Sequence, residues 1–262
     1  MALFVSVVNN KGGVGKSTTS INLAHALGLK GLQVLLVDND SQANSTSIFS
    51  SMHEKSLYDI LKNGEPANNC IYPTVYENVS VLPNHPRSAT VETDLYAQVP
   101  DSYFRLRKSL RQELDDKFDI ILIDCPPNLG IFVMMALVLC DCVIVPVICG
   151  SRFSIEGLDS ALEHIQKIKN KLNPNLFFLR LLVNQVDLRN SEQKAAIGAL
   201  KKQFGEESVF KTVIPKNPAF LEAEKHQKTI IRQAPNSTGA KNFRALVEEF
   251  LAVVDMEEKA RG

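Results

Sequence analysis

Segment 7–19, "VVNNKGGVGKSTT", places two lysines, Lys11 and Lys16, around one short glycine-rich turn. Gly12, Gly13 and Gly15, with Val14 between them, let backbone N–H groups approach an anion closely. Lys16 is spaced to reach the β- and γ-phosphates of a nucleotide, and Ser17 to offer its hydroxyl to Mg²⁺. Thr18 is placed to hydrogen-bond the α-phosphate. The ordinary pattern G-x-x-x-x-G-K-[ST] asks for glycine where this chain has Asn10, and for one lysine. Lys11 is therefore surplus to a loop that only cradles phosphate.

Carboxylates follow in two further places. "QVLLVDNDSQANST" sets Asp38 and Asp40 at the end of an apolar run, two residues apart and so on the same side of an extended chain. "FDIILIDCPPNLG" ends a second apolar run at Asp124, the Walker B arrangement in which a carboxylate holds Mg²⁺, often through water. Pro126-Pro127 stiffens the turn after it, and Gly130 lets that turn move when the γ-phosphate leaves. "RLLVNQVD" ends a third run at Asn184, whose amide carries donor and acceptor together.

Elements of two kinds must hold these groups. "LFVSVV", "QVLLVD", "VSVLP", "FDIILID", "DCVIVPV", "FFLRLLVN" and "SVFKTVI" read as strands. Helical spacing runs over 17–28, 103–115, 155–172, 192–204 and 239–254. Near-continuous apolar strands are buried on both faces. The pattern predicts an α/β fold, a mostly parallel twisted sheet flanked by helices on both faces, as one domain over 1–262. Each chemical group falls at a strand's carboxyl end, where such sheets bind ligands. Segment 45–99 is irregular. Hydrophobic residues at 45% and charged residues at 22% are those of an ordinary globular protein. No apolar run is long enough to span a membrane and no secretory pattern opens the chain, so the expected place is the cytoplasm. The five cysteines, 70, 125, 140, 142 and 149, lack metal-site spacing and are expected to pack as small hydrophobes.

"NKGGVGKST" resembles the deviant Walker A loop of the ParA/MinD ATPases, a P-loop NTPase family, and the resemblance extends from Phe4 to about Leu251. It implies ATP and Mg²⁺, and a homodimer with ATP in which Lys11 crosses to the phosphates bound by the partner chain. A cation delivered in trans stabilises charge during phosphoryl transfer. It implies that Asp40 positions or activates the attacking water, with Asp38 near the Mg²⁺ waters. It makes Asn184 the reader of the adenine edge, with the segment around Pro215 packing on the other side. ParA proteins bind nonspecific DNA through Lys and Arg of the C-terminal half, and an adaptor, ParB-like or other, stimulates hydrolysis. Segment 180–244 holds twelve Lys/Arg against six Asp/Glu. The candidates are Lys211, Lys216, Lys225, Lys228, Arg232, Lys241 and Arg244, which implies association with the nucleoid.

The chain departs from the family at Ser41, usually proline, at Asn128, commonly serine, and at Ala219 and Leu221-Glu222-Ala223, commonly arginine and Ser-Glu-Ala. "VIVPVICGSRFSIEGL" is one residue longer than usual. Two other readings stay open. A MinD-like membrane-associated positioning ATPase calls for a basic amphipathic tail, whereas this one ends "VDMEEKARG". A metabolic P-loop enzyme calls for a substrate pocket or paired cluster cysteines. The cargo expected of the ParA reading is a plasmid, a chromosome origin or a protein organelle such as a carboxysome.

Overall fold

The computed structural model describes residues 1–49, 53–149 and 153–261. The chain begins β1 (Leu3–Val7), α1 (Lys16–Gly28), β2 (Val34–Asp38), α2 (Asn44–Phe49) and α3 (Leu57–Asn63). It continues through β3 (Tyr72–Pro73), β4 (Val79–Leu82), α4 (Glu92–Tyr96), α5 (Gln112–Leu114), β5 (Ile120–Asp124) and α6 (Ile131–Leu139). The last part holds β6 (Cys142–Ile148), α7 (Phe153–Lys171), β7 (Phe177–Asn184), α8 (Ser191–Phe204), α9 (Ala219–Lys225), α10 (Ile230–Gln233) and α11 (Thr238–Arg261). The extra residue read near 150–152 lies outside the described residues.

Seven strands form one sheet in the order β3-β4-β2-β5-β1-β6-β7, parallel except for the short edge strand β3. Alternation along each strand divides the core in two. Phe4, Leu35, Val37, Ile121 and Ile123 face one side, covered by α6, α7 and α8. Val5, Val34, Leu36, Ile120 and Leu122 face the other, covered by α1 and α11. Both faces are dry, which is why these strands carry no polar alternation. Registers align the business ends: Asp124 pairs with Val7 on one side and with Asp38 on the other.

Two expected elements come out differently. "SVFKTVI" is not a strand; only isolated bridges join Val209 to Leu181 and Pro215 to Val186. The Glu249 carboxylate of α11 accepts the N–H groups of Lys211 (2.7 Å) and Thr212 (2.9 Å), which lifts that stretch off the β7 ladder. The helix read over 103–115 is a 3₁₀ turn, then a π turn at Arg107–Arg111, then α5. Leu106, Leu110 and Leu114 are all fully buried, and the wider turn keeps residues spaced by four on one face.

Candidate functional site

The glycine-rich loop lies between β1 and α1 and is anchored to β6. Buried Asn9 donates its amide to Pro146 O (2.7 Å) and accepts the Lys11 N–H on its carbonyl (2.9 Å). Gly13 and Gly15 take φ of 73° and 87°, the left-handed region that favours glycine. Lys16 is buried, and its Nζ donates to Lys11 O at 3.1 Å. Desolvation pulls the Lys16 pKa below the ordinary range, opposed by the charges of Asp124, Cys125 and Asp40. A buried cation at a helix N-terminus is an anion site. Lys11 is half-buried and does not line the cavity beside its own loop.

Asp38 and Asp124 sit side by side, fully buried. Burial raises the Asp38 pKa, the neighbouring Asp124 raises it further, and bonds from Thr46 oppose the rise. Both Asp38 oxygens are taken within the protein: Thr46 donates its hydroxyl (2.7 Å) and N–H (2.8 Å) to one, and the Asp40 N–H reaches the other (3.2 Å). Asp38 thus braces Asp40, and like Asp124 it lies just outside the residues that line the cavity. Burial also raises Asp124, against hydrogen bonds from Ser45 and Ser17. Ser45 and Ser20 donate to its two oxygens at 2.6 and 3.3 Å. This all-oxygen, anionic set beside Ser17 fits a hard divalent cation such as Mg²⁺. Asp40 lines the cavity and accepts the Gln42 N–H (3.0 Å) on one oxygen.

The cavity measures ≈ 640 Å³, within the range of small-molecule sites. It runs from Gly12, Lys16 and Thr18 past Asn184 to Pro215 and α9. Asn184 is buried and its Nδ2 donates to Val14 O (2.9 Å) and Thr19 Oγ1 (3.2 Å). Val14 O can only accept, so the amide orientation is fixed, and Oδ1 is left without a protein partner. A lone buried acceptor beside the cavity suits an N–H donor of a ligand, such as the exocyclic amine of adenine.

All seven basic candidates are exposed, but they do not form one set. Lys216 and Lys228 line the nucleotide-sized cavity itself. Lys225 pairs with Glu222 (3.0 Å), Arg232 stacks over Tyr76 (5.4 Å), and Arg244 donates to Pro235 O (2.8 Å). All five cysteines are buried thiols of the core.

Residues inside those motifs that carried no expected role also build the site. Asn39 ties the Asp38–Asp40 turn to α6 through Phe132 O (2.9 Å), and Thr46 and Asn9 brace as described. All three stand in the quoted segments, and nothing in those segments indicates their partners.

Comparison with known proteins agrees with this geometry. The AAA domain family AAA_31 matches residues 2–178. The sporulation initiation inhibitor protein Soj of Bacillus subtilis is 36% identical over 255 residues, covering 96% of this chain and 99% of that one. The chromosome-partitioning ATPase Soj of Thermus thermophilus is 38% identical, covering 95% and 96%. The cell division ATPase MinD of Pyrococcus furiosus superposes with a TM-score of 0.77 at 29% identity, covering 97% and 100%. Cobyrinic acid a,c-diamide synthase from Mycobacterium smegmatis, solved with bound ADP and magnesium, gives 0.81 at 26% identity, covering 95% and 93%. Loop, carboxylates, strand order and relatives agree: the chain belongs to the ParA/MinD family of deviant Walker A ATPases.

Proposed function

We propose that this chain is a ParA-type ATPase that closes into an ATP-dependent sandwich dimer, binds nonspecific DNA and positions or segregates a cargo. ATP is its nucleotide and Mg²⁺ its metal. Lys16 and the loop N–H groups bind the β- and γ-phosphates, while Asn184 Oδ1 accepts from the base and Pro215 packs beside it. Ser17 and Asp124 hold Mg²⁺, which neutralises charge on the phosphate oxygens. Asp40, with one oxygen on the Gln42 N–H, keeps the other for the attacking water. The partner's copy of the loop supplies Lys11. An adaptor, ParB-like or other, stimulates hydrolysis, the dimer opens and DNA is released. The working place is the cytoplasm, on the nucleoid.

One observation carries this reading. Lys16 is buried in its own cavity, whereas Lys11, five residues earlier, gives Lys16 only a backbone carbonyl and does not line that cavity. A lysine in that loop that stays out of the lining of its own cavity fits a role in trans. The relatives named for chromosome partitioning support the cargo-moving reading. The apolar face of α11, including Phe243, Leu246 and Phe250, is buried on the sheet, and no described helix is long and apolar enough to cross a membrane.

Light scattering with and without MgATP tests it. Wild type should become dimeric with MgATP. Lys11→Ala should bind MgATP within about threefold of wild type yet stay monomeric and hydrolyse at least about tenfold more slowly, as loss of a trans cation demands. A Lys11→Ala dimer with normal turnover would overturn the reading.

A further inference from the structure

Two consecutive amide side chains at the end of β7 hold two consecutive carbonyls of the phosphate loop. Asn184 Nδ2 donates to Val14 O at 2.9 Å, and Gln185 Nε2 donates to Gly13 O at 2.7 Å. A trans peptide unit is planar, with its N–H opposite its C=O. Fixing the Gly13 carbonyl toward Gln185 therefore aims the Val14 N–H away from it. Fixing the Val14 carbonyl toward Asn184 does the same to the Gly15 N–H. Neither N–H meets a protein acceptor among the described residues. Adjacent N–H groups turned to one side make a concave anion site.

Two backbone features serve this contact. Gln185 holds φ of 56°, a conformation uncommon for a residue with a side chain. A Cβ on Gly15 would stand 2.7 Å from Asn184 Nδ2, so only glycine lets that amide come so close. The strand end and the loop are shaped for each other across 170 and 172 residues of sequence.

The geometry points to Gln185 as a positioning residue for the polyphosphate: its amide presets the loop so that the Val14 N–H faces the phosphates. It lines the cavity, and its amide donor is committed to the loop carbonyl of Gly13. The role rests on reading the cavity as a nucleotide site, and on no claim about dimers or DNA. A neutral hydrogen bond of this kind is worth roughly two- to tenfold in an equilibrium, spent here on preorganisation.

The test is titration of the full chain with MgATP, MgADP and AMP, for wild type, Gln185→Ala and Gln185→Glu. Gln185→Glu keeps the length and loses the donor. Both variants should bind MgATP and MgADP about three- to tenfold more weakly and AMP within about twofold of wild type, because AMP lacks the phosphates that the loop N–H groups face. The melting temperature of the nucleotide-free protein should stay within about 2 °C, as for a surface substitution. Equal weakening toward all three ligands, or no change toward any, overturns the role of Gln185. Failure of wild type to bind MgATP would instead remove the nucleotide reading.

Discussion

Asp38 and Asp40 are two residues apart and do different work. Asp38 has both oxygens engaged by Thr46 and the Asp40 N–H and is not among the residues that line the cavity. Asp40 lines the cavity with one oxygen committed to Gln42. A group that orients or deprotonates water contributes about 10²–10⁴ to a rate and little to ground-state binding. Asp40→Ala should therefore slow hydrolysis at least about a hundredfold with MgATP affinity held within about threefold, trapping the dimer on DNA. Single-turnover hydrolysis and MgATP titration check this; rapid turnover in the variant would remove Asp40 from the water. The loop lysines, Ser17, Asp124 and Asn184 were legible because each sits in a short contiguous pattern with its own chemistry. Asn9 was not, since its partner Pro146 lies 137 residues away and a buried amide bonding a distant carbonyl leaves no local mark.

Among the elements, α1 was readable from its apolar spacing and from the loop that starts it. Helix α6 was not. Its nine residues, "IFVMMALVL", are apolar all round and run almost directly into β6, so no polar face marks it as a helix. The false strand at 208–214 had the right composition, but a carboxylate from α11 took N–H groups that a strand would have paired. Packing of α1 gives a prediction at this scale. A Cβ on Gly28 would meet Glu77 O at 2.6 Å and Val79 Cγ2 at 2.7 Å, and the backbone oxygen cannot move cheaply. Overpacking of about 1–3 kcal/mol there outweighs the gain of about 1 kcal/mol in helix propensity from alanine. Gly198, inside α8, has nothing within 4 Å of a Cβ. Gly28→Ala should lower unfolding free energy by about 1–2 kcal/mol, while Gly198→Ala should raise it by about 0.5–1 kcal/mol. Urea unfolding of both measures the difference, and equal effects would mean that Gly28 is not held by contact with the segment before β4.

At the scale of the whole molecule, a mostly parallel sheet with two dry faces was foreseeable from strands apolar on both sides, whereas its strand order was not, since apolar runs do not say which of them are neighbours. They do not select a function, because a synthase from Mycobacterium smegmatis shares the fold. Charge is more discriminating. Lys and Arg total 29, as do Asp and Glu, so the protein has no net field to hold DNA. Any DNA binding must come from locally gathered cations, made effective when two protomers present them together. Lys216 and Lys228 line the nucleotide cavity, so their loss should disturb ATP binding as well. Arg232 and Lys241 are exposed and lie outside that lining. With MgATP, binding to random-sequence duplexes should weaken with salt, the logarithmic slope being about −0.9 per phosphate contacted. Arg232→Ala or Lys241→Ala should each flatten that slope by about two in a dimer, one contact per protomer, with ATP affinity unchanged. Lys228→Ala should shift ATP affinity too. If the slope is near zero, or survives the loss of both Arg232 and Lys241 unchanged, DNA is not held by this basic half. The surplus of cations over 180–244 would then be a solvated surface that balances the acidic residues elsewhere in the chain.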